Sequence, residues 1–296
     1  MSFTSSLPEP IRAAARRSYV ALAGLTAADR SLPDFILVGG QRCGTTSLFR
    51  AFEQHPLIVR PRLNKGINYF DLNYHRGETW YRAHFPRSNR TRRIRGVDPV
   101  TFEASGYYMF HPLAPARIAT DLPAIKIVVI LRDPIERAFS AWKHESARGY
   151  DDVSFDEAVA SENARTNGER ERMVSDPNYQ SFAYRHYSYA ARSDYVPQLR
   201  QFYDRIPTSR IHILYSESFF ANPKHEFTRL VDFLGVPSLQ AVTFEKHNAR
   251  PSGPMPIYAR EALRERFQGQ ADELEKLTGR RPPWVDRKDA RGWAET

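Results

Sequence analysis

The segment Gly39-Gly40-Gln41-Arg42-Cys43-Gly44-Thr45-Thr46-Ser47 gathers three glycines, three hydroxyls and an arginine into nine residues. A loop of this composition can aim successive backbone N–H groups at one point, and glycine lets the chain come close to a ligand. If a helix starts inside it, the positive end of that helix adds to the field, and a phosphate-like anion is the fitting ligand. Against the template G-x-x-x-x-G-K-[ST], Gly39, Gly44 and Thr46 match, but Thr45 stands where the lysine belongs. The cation is Arg42, two residues before the second glycine. That offset separates the chain from ordinary ATPases and GTPases, whose lysine reaches the terminal phosphates from within the loop. The alternative is a glycine-rich strand-to-helix turn that binds nothing.

A second run with the same chemistry is Arg132-Asp133-Pro134-Ile135-Glu136-Arg137-Ala138-Phe139-Ser140. Arg132 can meet a phosphate through a forked, charge-assisted hydrogen bond. Ser140, two turns into the following helix, would add a hydroxyl from the same side, while Arg137 is read as fixing the helix. Two other readings are open: Arg-Asp-Pro opens many helices, and an aspartate after an apolar strand is where nucleoside triphosphatases hold magnesium.

Both runs need a strand before them and a helix after them, and the sequence supplies both. Phe35 to Val38 and Lys126 to Leu131 are continuously apolar, as expected of strands covered on both faces. Thr45 and Thr46 offer N-caps for a helix to about Gln54, stopped by His55-Pro56; Asp133 caps and Pro134 opens a helix to about Arg148. Strands are also expected at 57–59, 67–70 and 210–215, and helices at 154–165, 189–203 and 223–234. After a Pro/Gly-rich loop at 251–256, one long amphipathic helix is expected over 258–277, ending at Gly279. The polar stretch 150–187 reads as helices and loops over one end of the sheet. Strands alternating with helices give an α/β fold with a mostly parallel sheet. A single domain is expected from 34 to 296, preceded by an N-terminal helical extension over 1–33. Arg16-Arg17 loosely imitates a twin-arginine export signal, but its apolar stretch ends by Thr26 and Asp29-Arg30 follow. The expectation is an amphipathic helix packed on the domain and a chain that is not secreted.

In this order and on these elements, the two runs resemble those of sulfotransferases that use 3′-phosphoadenosine 5′-phosphosulfate (PAPS). The closest likeness is to the bacterial branch related to heparan sulfate sulfotransferases, over about residues 34 to 284. The resemblance implies a P-loop-like three-layer domain with a central sheet flanked by helices. It also implies PAPS as sulfuryl donor, 3′-phosphoadenosine 5′-phosphate (PAP) as product, and no metal. Gln41-Arg42-Cys43-Gly44-Thr45-Thr46-Ser47-Leu48 is similar to the family's 5′-phosphosulfate loop, which makes Arg42, Cys43, Gly44, Thr45, Thr46 and Ser47 nucleotide-binding candidates. Arg42 takes the place of the family's lysine at the bridging oxygen, keeping the charge and changing its geometry. The run from Arg132 to Ser140 resembles the 3′-phosphate motif R-D-P-x-x-R-x-x-S in every fixed residue, which implies Arg132 and Ser140 at that phosphate. Asn248 to Pro256 resembles a late loop that folds over the nucleotide, which adds Arg250. Asn73 to Gly77 and Trp80 to Pro86 resemble the stretch lining the acceptor entrance, which implies Asp71, His75 and His84 on the acceptor side. Glu103 to Tyr108, followed by Phe110-His111-Pro112, resembles G-E-x-[ST]-P-x-Y, with Gly106 replacing proline.

One part of the pattern departs. Relatives often carry K-E-x-H-[FY]-F-D, with the glutamate as base, where this chain reads Lys65-Gly66-Ile67-Asn68-Tyr69-Phe70-Asp71. Sulfuryl transfer requires positioning, neutralisation of the leaving oxygen and removal of a proton. Arg42 and the loop amides suit the second task. For the third, Glu103 is the first expectation, with His84 and Asp71 behind it; the competing role for Glu103 is a structural carboxylate paired with an arginine. An acidic acceptor such as a phenol, with a pKa of ~10, would need little help. A protein that binds nucleotide and transfers slowly is the third explanation.

Composition frames these readings. Lys+Arg 43 against Asp+Glu 34 gives +9 over 296 residues, and seven of the 43 are lysine, leaving 36 arginines. The planar arginine fork suits sulfate, phosphate or carboxylate, although codon usage alone can produce the same ratio. Cys43 is the single cysteine, so no internal disulfide forms, and no Cys/His set has zinc spacing. No apolar run approaches the ~18 residues of a membrane span. A reducing, cytoplasmic setting is the expectation. Arg87, Arg90, Arg92, Arg93 and Arg95 form a basic run without aromatic interleaving or a nucleic-acid-reading module, so a solvated loop or a guide for an anionic acceptor is expected, and no nucleic acid. His75, His84, His111 and His144 lack metal-ligand spacing. The aromatic stretch Tyr179 to Tyr195, with Arg185 and His186, offers core and rim residues, some of them suited to a sugar or aromatic pocket. The expected partner is a glycan, glycolipid or small natural product; a P-loop-like kinase and a nucleotide-binding protein with weak catalysis are the alternatives.

Overall fold

The computed structural model describes residues 8–87, 98–238, 242–244 and 253–285. Five strands, β1 (Phe35–Gly39), β2 (Ile58–Val59), β3 (Val100–Ala104), β4 (Lys126–Leu131) and β5 (Ile211–Tyr215), form one sheet in the order β2-β3-β1-β4-β5. Every pairing is parallel. Alternate residues of the central strands enter two separate cores. Phe35, Leu37, Val128, Ile130 and Leu214 face one, and Ile36, Val38, Ile127, Val129 and Ile213 face the other. Both faces therefore need a helical cover, at about 1.5–3 kcal/mol for each large side chain buried.

On the first face lie α2 (Thr45–Gln54), α11 (Ser216–Ala221) and α12 (Pro223–Leu234), through Leu48, Phe52, Phe219 and Leu230. On the second lie α3 (Tyr69–Leu72), α4 (Gly77–Arg82), α5 (Ala114–Asp121), α10 (Tyr195–Tyr203) and α14 (Gln270–Thr278), through Phe70, Tyr81, Ile118, Leu199 and Leu274. The result is the three-layer α/β arrangement the sequence implies. A third cluster joins α6 (Pro134–Ser146), α7 (Phe155–Thr166) and α13 (Ile257–Arg266). Around 150–187 the chain also forms α8 (Glu169–Ser175) and α9 (Phe182–Tyr187). The leading helix α1 (Glu9–Gly24) runs into Arg30, whose guanidinium donates to Ala23 O at 3.0 Å and to Phe85 O at 2.6 Å, tying the N-terminal segment to the turn after α4.

Three expectations are corrected. Residues 67–70 are not a strand: Asn68 is left-handed (φ 53) and Tyr69 begins a helical turn. Its N–H groups are met by side chains, Asn68 N by Ser105 Oγ at 3.0 Å and Tyr69 N by Tyr108 OH at 2.7 Å, so no strand partner is needed. The helix expected over 258–277 is two helices, because Gly269 turns left-handed (φ 80) between them. The helix expected over 189–203 starts at Tyr195, after a 3-10 turn at Ala191–Ser193. Strand β3 was not expected at all.

Between β1 and β4 the register slips: Leu37 pairs with Val128, but Gly39 pairs with Val129. An irregularity of this kind re-aims a strand end, and here it directs the chain into the glycine-rich loop. Since β3 and β4 flank β1 on opposite sides, the connections leave β1 and β4 in opposing directions, and the crevice between them at their C-terminal ends is the natural ligand site of such a sheet.

Candidate active site

The loop after β1 is curled by two left-handed residues, Arg42 (φ 70) and Gly44 (φ 102). Gly44 suits this conformation, and a Cβ there would stand 3.1 Å from the Phe220 ring, whereas Arg42 adopts it against its own preference. The alternation of hand makes a concavity of backbone N–H groups at the start of α2. That helix begins at Thr45 with Gly44 as N-cap and no side-chain cap, so Thr45 and Thr46 sit in its first turn instead of capping it. Ser47 is buried behind them. Cys43 turns inward: it is fully buried, with Sγ 3.9 Å from Tyr195 OH, and burial pushes the thiol up to about 11. Its contribution to the loop is therefore backbone, and its sulfur stays a thiol.

The structure brings the two anion motifs together. Arg42 Nε donates to Ser140 Oγ at 3.2 Å, across 98 residues of sequence. Asp133 caps α6, accepting from Ile135 N at 2.9 Å and Glu136 N at 3.3 Å, so its carboxylate is used by the helix. Arg132 lies at the mouth with a third of its side chain exposed and only a long contact of 3.7 Å to Glu136. Glu217, in the first turn of α11, accepts from Asp133 N at 3.0 Å. Arg137, read in the sequence as fixing the helix, is enclosed and donates to Ser193 Oγ at 2.6 Å and to Tyr189 O, while its Nη1 is buried without a hydrogen-bond partner.

Two lysines extend this cradle. Lys65 Nζ donates to Thr46 Oγ1 at 3.1 Å and to Thr45 Oγ1 at 3.4 Å. Burial lowers it to about 8, with Arg50 adding to the effect. The ammonium missing from the loop thus arrives from the segment after β2. Its signal in the sequence was the threonine at the template's lysine position in a chain with seven lysines. Lys143, one turn beyond Ser140 on α6, is lowered by burial and, in part, by Arg132 and Arg42. Four cations therefore converge on one region of the sheet's C-terminal edge. Such a field suits an anion carrying more than one charge.

Glu103, expected as the proton acceptor, is enclosed, at 0 % exposure. Ser105 Oγ and Tyr108 OH each donate to Oε1 at 2.6 Å, Ile67 N donates to it at 3.2 Å, and Tyr81 OH donates to Oε2 at 2.6 Å. Burial raises its pKa, opposed by those donors. Tyr108 and Ser105 in turn accept from the backbone N–H groups of 68–70, so this carboxylate organises the turn that replaces the expected strand. The competing expectation of an arginine partner is not met either; hydroxyls and an amide fill that role. Gly66 lies against the same structure: a Cβ there would stand 3.0 Å from Ala104 O and 3.1 Å from Ser105 Oγ. A glutamate at 66 therefore does not fit without moving the end of β3.

Of the acceptor-side candidates, His84 is 4 % exposed, with Nδ1 2.9 Å from Trp80 O and its ring against Trp80. Burial lowers its pKa. His75 is exposed on the 3-10 turn 74–76. Asp71 is buried at the C-terminal part of α3. Arg250 and the basic residues Arg90 to Arg95 lie outside the described residues. Arg192, unnoticed in the sequence, is 7 % exposed, lies 4.7 Å over the Tyr107 ring and donates to Gln41 Oε1 in the loop and to Arg185 O. Among the described residues, no group of three or more His, Cys, Asp and Glu side chains is placed to hold a metal, and no helix is long and apolar enough to cross a membrane.

Comparison with known proteins bears on this geometry. The sequence profile of the family described as "Sulfotransferase domain" matches residues 32–252. Over 120 residues the chain is 38% identical to human bifunctional heparan sulfate N-deacetylase/N-sulfotransferase 3, covering 38% of this chain and 13% of that protein. Over 221 residues it is 27% identical to mouse heparan sulfate glucosamine 3-O-sulfotransferase 3B1, covering 75% of this chain and 50% of that protein. The chain thus matches half or less of the length of these two relatives. Among solved structures it is similar to a sulfotransferase from Alicyclobacillus acidocaldarius, with a TM-score of 0.66, 29% identity, and coverage of 84% of this chain and 97% of that one.

Proposed function

Since the chain belongs to the sulfotransferase-domain family, we propose that it transfers a sulfuryl group from PAPS to a hydroxyl or amine of an acceptor, releasing PAP. The observation that carries this reading is the hydrogen bond of Arg42 to Ser140, which makes one cleft of two anion motifs. A bisphosphorylated nucleotide needs two separate anion cradles, and the residues fit it. The loop amides, Arg42, Lys65, Thr45 and Thr46 would hold the 5′ end, and Arg132, Ser140 and Lys143 the 3′-phosphate. In that placement Arg42 would neutralise charge growing on the leaving phosphate oxygen, and Lys65, held by Thr45 and Thr46, would add a second, more localised cation. Glu103 positions: it fixes the 67–70 turn and takes no part in proton transfer.

The acceptor we propose is a glycan, glycolipid or small natural product. Supporting this are the half-exposed Phe182 ring, which packs on His186 at 4.4 Å, and the cationic residues of the cleft. The compartment we propose is the cytoplasm, because the single cysteine is a buried thiol with no disulfide partner in the chain. A nucleotide-binding protein with slow transfer is the second reading, favoured by Gly66.

Incubation with PAPS labelled in the sulfuryl group and a panel of hydroxyl and amine acceptors tests the assignment. Label is expected in an acceptor product. No label in any acceptor, with PAP still bound, would favour the slow binder; labelled phosphate passing from ATP with magnesium would establish a kinase instead.

A further inference from the structure

Gly66 and the enclosure of Glu103 leave the transfer reaction without its expected base, and a different carboxylate is built for the task. Resting on the transferase reading above, we propose that Asp71 accepts the proton of the attacking hydroxyl or amine.

Asp71 is 5 % exposed. Its Oδ1 accepts from Leu72 N at 2.6 Å, and its Oδ2 is buried without a hydrogen-bond partner. Buried polar atoms are nearly always paired, so a carboxylate oxygen left open inside a protein is a place where a ligand's donor belongs. Glu103 shows the contrast: four donors close it, and none reaches Asp71 Oδ2.

The charged and titratable groups around Asp71 come from every neighbouring element. Glu103 approaches from β3, Tyr107 and Tyr108 from the turn after it, Arg117 from α5 and Arg185 from α9. Arg117 is occupied elsewhere, donating to Phe70 O at 2.9 Å and Pro177 O at 3.2 Å and lying 4.3 Å over the Tyr74 ring. Arg185 lies 5.7 Å over the Tyr107 ring. Neither guanidinium caps Oδ2. Tyr107 OH is a second buried polar atom without a partner, and the Arg192 that covers its ring donates to Gln41 of the anion loop. Arg192 thus links the Tyr107 ring to Gln41 of the anion loop, and Tyr107 is one of the groups that feel the charge of Asp71.

The environment also gives Asp71 the strength of a base. Burial, with a smaller contribution from Glu103, lifts it to about 7, against the pull of Leu72 N and Arg185. A carboxylate that holds its proton to neutrality takes one from an alcohol or amine far better than an ordinary aspartate. In the step itself the acceptor atom bonds to sulfur while its proton passes to Asp71 Oδ2. The bond from sulfur to the nucleotide's phosphate oxygen breaks, and its electron pair stays on that oxygen beside Arg42. The proton then leaves Asp71 to water.

The test compares wild type, Asp71→Asn and Asp71→Glu for kcat from about pH 5.5 to about pH 8.5, for KM toward PAPS, and for melting with and without PAP. Wild-type kcat is expected to rise with pH through about 7 to a plateau, as the base loses its proton. Asp71→Asn should lower kcat by roughly a hundred- to a thousandfold and abolish that limb, with KM for PAPS and the PAP melting shift unchanged. Asp71→Glu should keep the limb at reduced rate. Folding does not confound the comparison. A carboxylate raised in the folded state costs stability increasingly as pH climbs from its unfolded value to the raised one, so the uncharged asparagine should melt no lower than wild type at about pH 8. An Asp71→Asn variant with near-wild-type kcat and the same pH limb would overturn the assignment alone. A wild-type protein that ignores PAP would overturn the transferase reading and this proposal with it.

Discussion

Arg42→Ala is expected to reduce turnover by roughly a hundred- to a thousandfold, the usual consequence of removing one preorganised group aimed at developing charge. The loop contains no lysine, and the ammonium of Lys65 reaches its threonines from another segment, so Arg42 is the loop's own cation. Its bond to Ser140 also links the two anion cradles, so the alanine variant should weaken PAPS binding in addition to slowing the chemical step. Arg42→Lys separates these effects: a lysine restores the charge without the fork, so it should recover rate more than affinity. Steady-state kinetics with varied PAPS give both numbers, and an alanine variant with near-normal kcat would remove Arg42 from its place at the leaving oxygen.

The second large effect is on stability. Glu103→Gln should cost about 1–3 kcal/mol, as expected when a buried, fully hydrogen-bonded group loses its match to one of its donors. The amide oxygen can keep Ser105, Tyr108 and Ile67 as donors, but the amide nitrogen then faces Tyr81 OH, which must turn and accept instead of donating. Denaturant unfolding measures the loss. Activity should fall with the disordering of the 67–70 turn while PAP still binds. A glutamine variant with the wild-type unfolding midpoint would show that the four donors have no need of a carboxylate.

Anion chemistry made the two loops legible in the sequence. It demands glycine where backbone must approach, arginine where a fork must reach, and a strand and helix on either side; 39–47 and 132–140 meet all of these locally. Lys126 to Leu131 was legible for a similar reason, since a strand covered on both faces has no polar alternation to obscure it. Strand β3 was hidden by Glu103, a residue that reads as exposed. It is buried only because Tyr81 and Tyr108, one on α4 and one beyond the strand, fold their hydroxyls onto it. The segment 67–70 alternates like a strand, but Asn68 turns it and side chains satisfy its N–H groups, neither of which periodicity reveals. Gly269 was visible in the sequence, but the amphipathic pattern continues across it and hid the break. Lys65, Lys143 and Arg192 join the site only through tertiary contact. The open oxygen of Asp71 is defined by what does not reach it, which no local pattern encodes.

One cleft is proposed to hold a nucleotide by two separate anion cradles, one for each phosphorylated end. Thermal melting with PAP and with ATP plus magnesium tests it most directly. PAP without metal, at about a hundred times its dissociation constant, should add about 2.7 kcal/mol and raise the melting temperature by several degrees, and Arg132→Ala should largely abolish the rise. A melting temperature indifferent to PAP, but raised by ATP with magnesium, would contradict the claim.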